Sequence, residues 1–126
     1  MILIFGGAYQ GKLAYALDRF DLTDSDVYRC CESNTVIPIN NKILYEFDKW
    51  VLALIRADID IADALRQFID NNTDSIVICT DISCGVVPVD EIQRKHREAV
   101  GRSMTELSRV SSEVVRLFCG IPTRIK

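Results

Sequence analysis

The chain has 126 residues, 48% of them hydrophobic and 26% charged, with a formal net charge of −3. Such a chain is expected to fold as one domain, 1–126, around a core of its own. The acidic balance, without any basic block, argues against a general nucleic-acid partner, and no apolar run approaches the length of a membrane span. Five cysteines fit reduced thiols better than a disulfide framework, so the expected address is cytoplasmic.

In chain order, Ile2 to Phe5 reads as a buried strand, a glycine-rich turn follows, and a helical pattern opens at Gly11-Lys12. This order suits a phosphate-binding loop. Gly6 and Gly11 let the backbone curl so that successive N–H groups point inward, and the helix N-terminus adds its positive end. Gly6, Gly7, Ala8, Tyr9, Gln10, Gly11, Lys12 and Leu13 are therefore the candidate nucleotide-binding residues, with Lys12 reaching the outer phosphates. Leu13 departs from the pattern, which places Ser or Thr there to help hold Mg²⁺. The bland alternative is a glycine turn that only joins a strand to a helix.

The first helix is expected to end near Asp21, and Val27 to Cys31 to form a second short strand. From Lys42 an amphipathic helix is predicted, with Ile43, Leu44, Phe47, Trp50, Val51, Leu54 and Ile55 on one face. That face is either core or a subunit interface of a homo-oligomer. Asp58 or Asp60 caps a second helix carrying Ile61, Leu65, Phe68 and Ile69. Ser75 to Cys79 is a continuous apolar run, as in a strand covered on both faces.

Asp81 follows that strand directly. It is read as a catalytic, metal-side acid that positions Mg²⁺, against the alternative of a turn-forming aspartate. Pro88 suits the first turn of a long helix running to about Ser111, and Gly101 inside it is expected to mark close packing. His96, the single histidine, falls on the apolar side of this helix and is read as structural. Arg94, Lys95, Arg97 and Arg102 make a basic cluster, and most of the cysteines are read as small core residues. Glu113 to Cys119 is a last strand, Gly120-Ile121-Pro122 a turn, and Thr123 to Lys126 an extended tail.

Alternating strands and helices predict an α/β, P-loop NTPase-like three-layer fold with a mainly parallel sheet covered by helices. Ligands in such sheets bind at the carboxyl ends of the strands. That rule collects Gly6 to Lys12, the Cys31 end of strand two and Thr80-Asp81 on one rim.

Gly6-Gly7-Ala8-x-x-Gly11-Lys12 resembles the G-G-A-R-S-G-K-S opening of the bifunctional adenosylcobinamide kinase / adenosylcobinamide-phosphate guanylyltransferase family of cobalamin biosynthesis. Ile78 to Pro88 is similar to its V-x-N-E-V-G-x-G-I-V-P segment, with Thr80 and Asp81 in the N-E places. Arg97-Glu98 and Gly101-Arg102 match its R-D-x-x-G-R helix, and Gly120 to Lys126 resembles its G-x-P-x-x-x-K end. The resemblance covers about the first twenty and the last fifty residues, and the stretch from the second strand to Ser75 does not match. It implies a P-loop fold, ATP or GTP as ligand, Mg²⁺, a corrinoid acceptor and a symmetric homo-oligomer. It also implies a guanylylated histidine after the second strand, but Glu32 to Asn41 contains none. The chain is thus read as a reduced, divergent member. It would bind a purine nucleotide and act, if at all, as a kinase, with the kinase half weakened by Leu13 and the guanylyl-transfer half not carried over; the rival is a catalytically silent nucleotide-binding or assembly protein.

Overall fold

The computed structural model describes residues 1–83 and 85–126. Six strands form one sheet in the order β2-β3-β4-β1-β5-β6. In chain order the elements are β1 (Ile2–Gly6), α1 (Lys12–Phe20), β2 (Val27–Arg29), β3 (Ile43–Tyr45), α2 (Phe47–Arg56), α3 (Ile61–Asn71), β4 (Ile76–Thr80), α4 (Glu91–Val110), β5 (Glu113–Phe118) and β6 (Ile121–Arg124). β1 to β5 run parallel, and β6 turns back antiparallel on β5. This is the α/β sheet that the alternation of apolar runs and amphipathic patterns predicts.

β1 from Ile2 to Phe5 and β4 from Ile76 to Cys79 are continuously apolar because both faces of the sheet are covered there. Leu3, Val77, Cys79 and Val114 belong to one cluster, with Phe47, Trp50, Leu54, Phe68, Val100 and Leu107 of α2, α3 and α4. Ile4, Ile43, Ile78, Val115 and Leu117 point the other way and meet Leu13, Ala16, Leu17 and Phe20 of α1. The uneven layering, three helices against one, follows from right-handed crossovers. α1 carries the chain from β1 outward to β2, whereas α3 and α4 precede strands that lie in the opposite direction, so they fall on the other face.

Four expectations need correction. The helix predicted from Lys42 begins only at Phe47. Ile43 to Tyr45 is instead a strand paired with β2 and β4, and Glu46 breaks it from α2 at φ 61°. Ile43-Leu44 reads equally as helix face or as strand, and the backbone pairing decides: Cys30 N–H donates to Tyr45 O at 2.9 Å and Ile76 N–H to Lys42 O at 2.8 Å. Ile43, Leu44, Phe47, Trp50, Val51 and Leu54 are all buried within the chain, so the face from Ile43 to Ile55 is core and not a subunit interface. α4 starts at Glu91 behind an Asp90 cap that accepts from Ile92 N–H at 2.8 Å, which leaves Pro88 in the preceding loop. The turn at the end of the chain is Cys119-Gly120, at φ 50° and 75°, and Pro122 sits in the edge strand β6, where a missing N–H is tolerated.

Smaller readings also resolve. A methyl at Gly101 would meet nothing within 4 Å, so that glycine does not mark close packing. Asp60 caps α3, accepting from Asp63 N–H at 2.9 Å. Cys30 and Cys79 are buried while Cys31 and Cys119 are exposed, and Cys84 lies outside the described residues, so core placement holds for two of the four described thiols. Trp50 is core, its indole N–H donating to Thr35 O at 2.8 Å.

Candidate functional site at the carboxyl rim

The glycine loop leaves the end of β1 beside the β5–β6 hairpin. A Cβ at Gly6, whose φ is +155°, would stand 2.3 Å from Leu117 O, so only glycine lets the strand leave the sheet at this point. Gly7, Ala8 and Tyr9 are exposed at the apex, Tyr9 with φ 57°. The Gln10 carboxamide oxygen accepts from Cys119 N–H and pins the descending arm to the hairpin. Gly11, at φ 82°, turns the chain into α1.

Lys12 is the first residue of that helix and only 5% exposed. Its ammonium folds back across the loop and donates to Gly7 O at 2.6 Å. Burial holds its pKa below the ordinary lysine value, opposed by the charges of Asp48 and Glu46 and the neighbouring Cys79. Leu13 turns away from the loop and packs into the α1-side core. The position that a hydroxyl would occupy in the common loop pattern is spent here on hydrophobic packing.

The second side of the rim was not legible in the sequence. Asp48 lies in the first turn of α2 and is 8% exposed, and its carboxylate accepts from Thr80 N–H at 3.0 Å. An acid there gains from the positive end of the helix and ties α2 to the tip of β4. The backbone carbonyl of Asp48 in turn accepts from His96 Nε2 at 2.6 Å, so His96 is half-buried and braces α2 against α4, in agreement with its structural reading. Glu46 and Asp48 escaped the sequence reading because Lys42 to Ile55 looked like one helix. Two acids, Glu46 directly after the three-residue strand and Asp48 two positions on, were the available signal.

Asp81 sits one residue past the Gly6–Thr80 pair, and its N–H donates to Gly6 O at 2.9 Å. Its carboxylate accepts from Ser83 N–H at 2.9 Å and from the Ser83 hydroxyl. The expected collection of Gly6 to Lys12 and Thr80-Asp81 on one rim is thus what the parallel register produces. From the basic cluster, Arg97 donates to the carbonyls of Ser83, Gly85 and Val86, and Arg94 to Val89 O at 2.7 Å, so these two guanidinium groups hold the loop after β4. Lys95 and Arg102 pair with Glu91 and Glu98 on the exposed side of α4.

Against this geometry the comparison with known families is decisive. The family profile described as cobinamide kinase / cobinamide phosphate guanyltransferase matches residues 35–125. The chain belongs to that family. The match spans β3, α2, α3, β4, α4, β5 and β6, so it takes in the stretch before Ser75 that shows no resemblance by inspection. It begins beyond the glycine loop, whose assignment therefore rests on its own residues and geometry. Family membership supports a nucleotide-binding function of the cobinamide kinase/guanyltransferase kind. No individually curated protein matches the chain. No helix among the described residues is long and apolar enough to cross a membrane.

Proposed function

We propose that this family member binds a purine nucleoside triphosphate, ATP or GTP, with its phosphates in the loop from Gly6 to Leu13, and that kinase-type transfer to a corrinoid alcohol is the chemistry it retains. The observation that carries this reading is the Lys12 ammonium. It is desolvated at the mouth of a glycine loop, at the start of a helix, and engaged by a single backbone carbonyl at 2.6 Å. A phosphate group offers that ammonium charged acceptors in place of one neutral oxygen, and charge-assisted bonds are about twice as strong as neutral ones. The backbone of Gly7 to Gly11 would then hold the bridging phosphates, and Lys12 would stabilise charge on the transferring group.

The acids suit Mg²⁺, which takes one or two carboxylates together with phosphate oxygens and keeps several waters. Asp81 and Asp48 are the residues that would hold it, Asp48 because it is the acid whose charge acts most on Lys12. When bound, the ion would neutralise charge on the phosphates. With Leu13 in the hydroxyl place, these carboxylates carry all of the protein's share of that contact.

The test is calorimetric titration of ATP and GTP, with and without Mg²⁺, into wild type and Lys12→Ala. Wild type is expected to bind at micromolar concentration, and Lys12→Ala to lose about 100-fold, or roughly 3 kcal/mol, with its fold intact by circular dichroism. Equal binding by both proteins would remove the loop from the site. In the same titrations, Asp48→Asn and Asp81→Asn are each expected to reduce the gain in affinity that Mg²⁺ confers by about tenfold while leaving metal-free binding within about twofold. Asn at position 48 still accepts from Thr80 N–H, so the fold is kept. A Mg²⁺ effect that persists in both variants would reject these acids as the metal side.

A second reading has its own support. Leu13 is committed to the core and no histidine lies between Glu32 and Asn41, which fits a protein that keeps the cradle without turnover. Release of nucleoside diphosphate that needs both Mg²⁺ and Lys12 would decide for the enzyme; tight binding without it would decide for the silent form.

A further inference from the structure

Ala99 and Ser103, two small residues one turn apart on α4, lie beside Leu65 and Ile69 of α3 without filling the space between the helices. A groove of about 910 Å³ results, within the size range of sites for small organic molecules. Its walls are largely apolar. Besides Leu65 and Ile69, they include Ile59 and Val110, which are 40% and 50% exposed.

The floor of this groove carries a polar group without a partner. Ser103 is 1% exposed, and its hydroxyl makes no hydrogen bond among the described residues. Buried hydroxyls are nearly always bonded, and one left unpaired costs free energy. Other hydroxyls on α4 and at its end find an acceptor in the preceding turn. Thr105 donates to Gly101 O at 3.0 Å, Ser108 to Thr105 O at 2.8 Å and Ser111 to Leu107 O at 2.7 Å. Ser103 makes no such bond, although it sits in the same helix.

Charge narrows the class of ligand. The cations that line the groove each hold a carboxylate already: Arg66 with Asp63, Lys95 with Glu91 and Arg102 with Glu98. No free cation therefore waits for an anionic group. All the charged residues of the lining are exposed, whereas the buried floor of Leu65 and Ser103 carries no charge. A charge taken down to that floor would lose its hydration without gaining a partner.

We propose that the groove between α3 and α4 is a binding site for a small, neutral, mainly apolar molecule carrying one hydrogen-bonding group, which Ser103 anchors. The apolar body of the ligand covers Leu65, Ile69, Ile59 and Val110, and its polar group completes the Ser103 hydroxyl. No residue of the loop from Gly6 to Leu13, nor Asp48 or Asp81, lines this groove, so the site is separate from the carboxyl rim.

The experiment is an NMR titration of the full chain, observed at its methyl groups, with 2-naphthol and with naphthalene, which differ by one hydroxyl. Wild type is expected to bind 2-naphthol with a Kd of about 100 µM and naphthalene about fivefold more weakly, with shifts centred on Ile59, Leu65, Ile69 and Val110. Ser103→Ala, which deletes only the unpaired hydroxyl, is expected to lose the preference for 2-naphthol while binding naphthalene within about twofold of wild type. Ala62→Trp, at an exposed position on the lip of the groove, is expected to weaken both probes at least about tenfold, and it keeps the test open if Ser103→Ala folds poorly. Absence of 2-naphthol binding to wild type, an unchanged preference in Ser103→Ala, or shifts centred on Gly6 to Leu13 would each overturn the proposal. So would groove methyl signals that move when the protein alone is diluted, since a second copy of the chain would then occupy the groove.

Discussion

Gly6→Ala is expected to destabilise the protein by roughly 4 kcal/mol, combining overpacking with left-handed backbone strain. The added methyl would stand 2.3 Å from the carbonyl oxygen of Leu117, and φ at Gly6 is +155°, a conformation that side-chain-bearing residues rarely adopt. The obstacle is backbone of β5, the neighbouring strand, and it cannot rotate aside as a side chain can. Relief requires β1 and β5 to separate, which opens the pairs from Ile2–Glu113 to Phe5–Arg116. Urea denaturation followed by circular dichroism would read the effect as a lower midpoint. Gly7 supplies the control, because a methyl there meets only the Gln10 side chain, at 3.6 Å. Gly7→Ala should stay within about 1 kcal/mol of wild type, as ordinary sites do. Equal midpoints for the two variants would show that the loop does not leave β1 along the path described.

Phe47→Ala is expected to cost about 4 kcal/mol, the range for truncating a fully buried aromatic. Phe47 has no exposed surface, and its ring centroid lies 5.1 Å from those of both Trp50 and Phe68, tilted at 50° and 51°. Trp50 and Phe68 also meet, at 5.5 Å, so one side chain closes a three-ring cluster joining α2 to α3. The loss would reach the rim, since Phe47 is the first residue of α2 and Asp48 the next. A cavity under this turn should loosen the contact of Asp48 with Thr80 N–H. Phe47→Leu, which fills most of the volume, should recover more than half of the loss. Stability of Phe47→Ala within about 1 kcal/mol of wild type would mean that the cluster is not packed as described.

How much of this could be read beforehand differs along the chain. β1, α1, β4 and α4 came from periodicity and end signals because each is long enough, or bounded sharply enough, for local chemistry to dominate. β3 did not. Three residues give too little pattern, and Ile43-Leu44 followed by Phe47 fits a helix face as well as a strand followed by a helix. Pairing with β2 and β4, strands that are 14 and 31 residues away at the nearest ends, settles the matter. The same misreading hid Asp48 and Glu46, which look like solvent-facing residues of a helix until the strand before them is recognised.

The sequence by itself determined the strand-loop-helix beginning, the parallel α/β class, the gathering of Gly6 to Lys12 and Thr80-Asp81 on one rim, and the absence of a histidine where the family resemblance implies one. These follow from local order, since a glycine loop between a strand and a helix, or an acid after an apolar run, is a statement about neighbours in the chain. The tertiary structure alone decided that Lys12 is buried and bonded to Gly7, that Leu13 faces the core, and that Asp48, 36 residues further on, shares its electrostatic environment. The physical reason is that burial and charge coupling are set by strand order. With β4 between β1 and β3, the start of α2 is carried to the mouth of the loop, and no local pattern encodes that order.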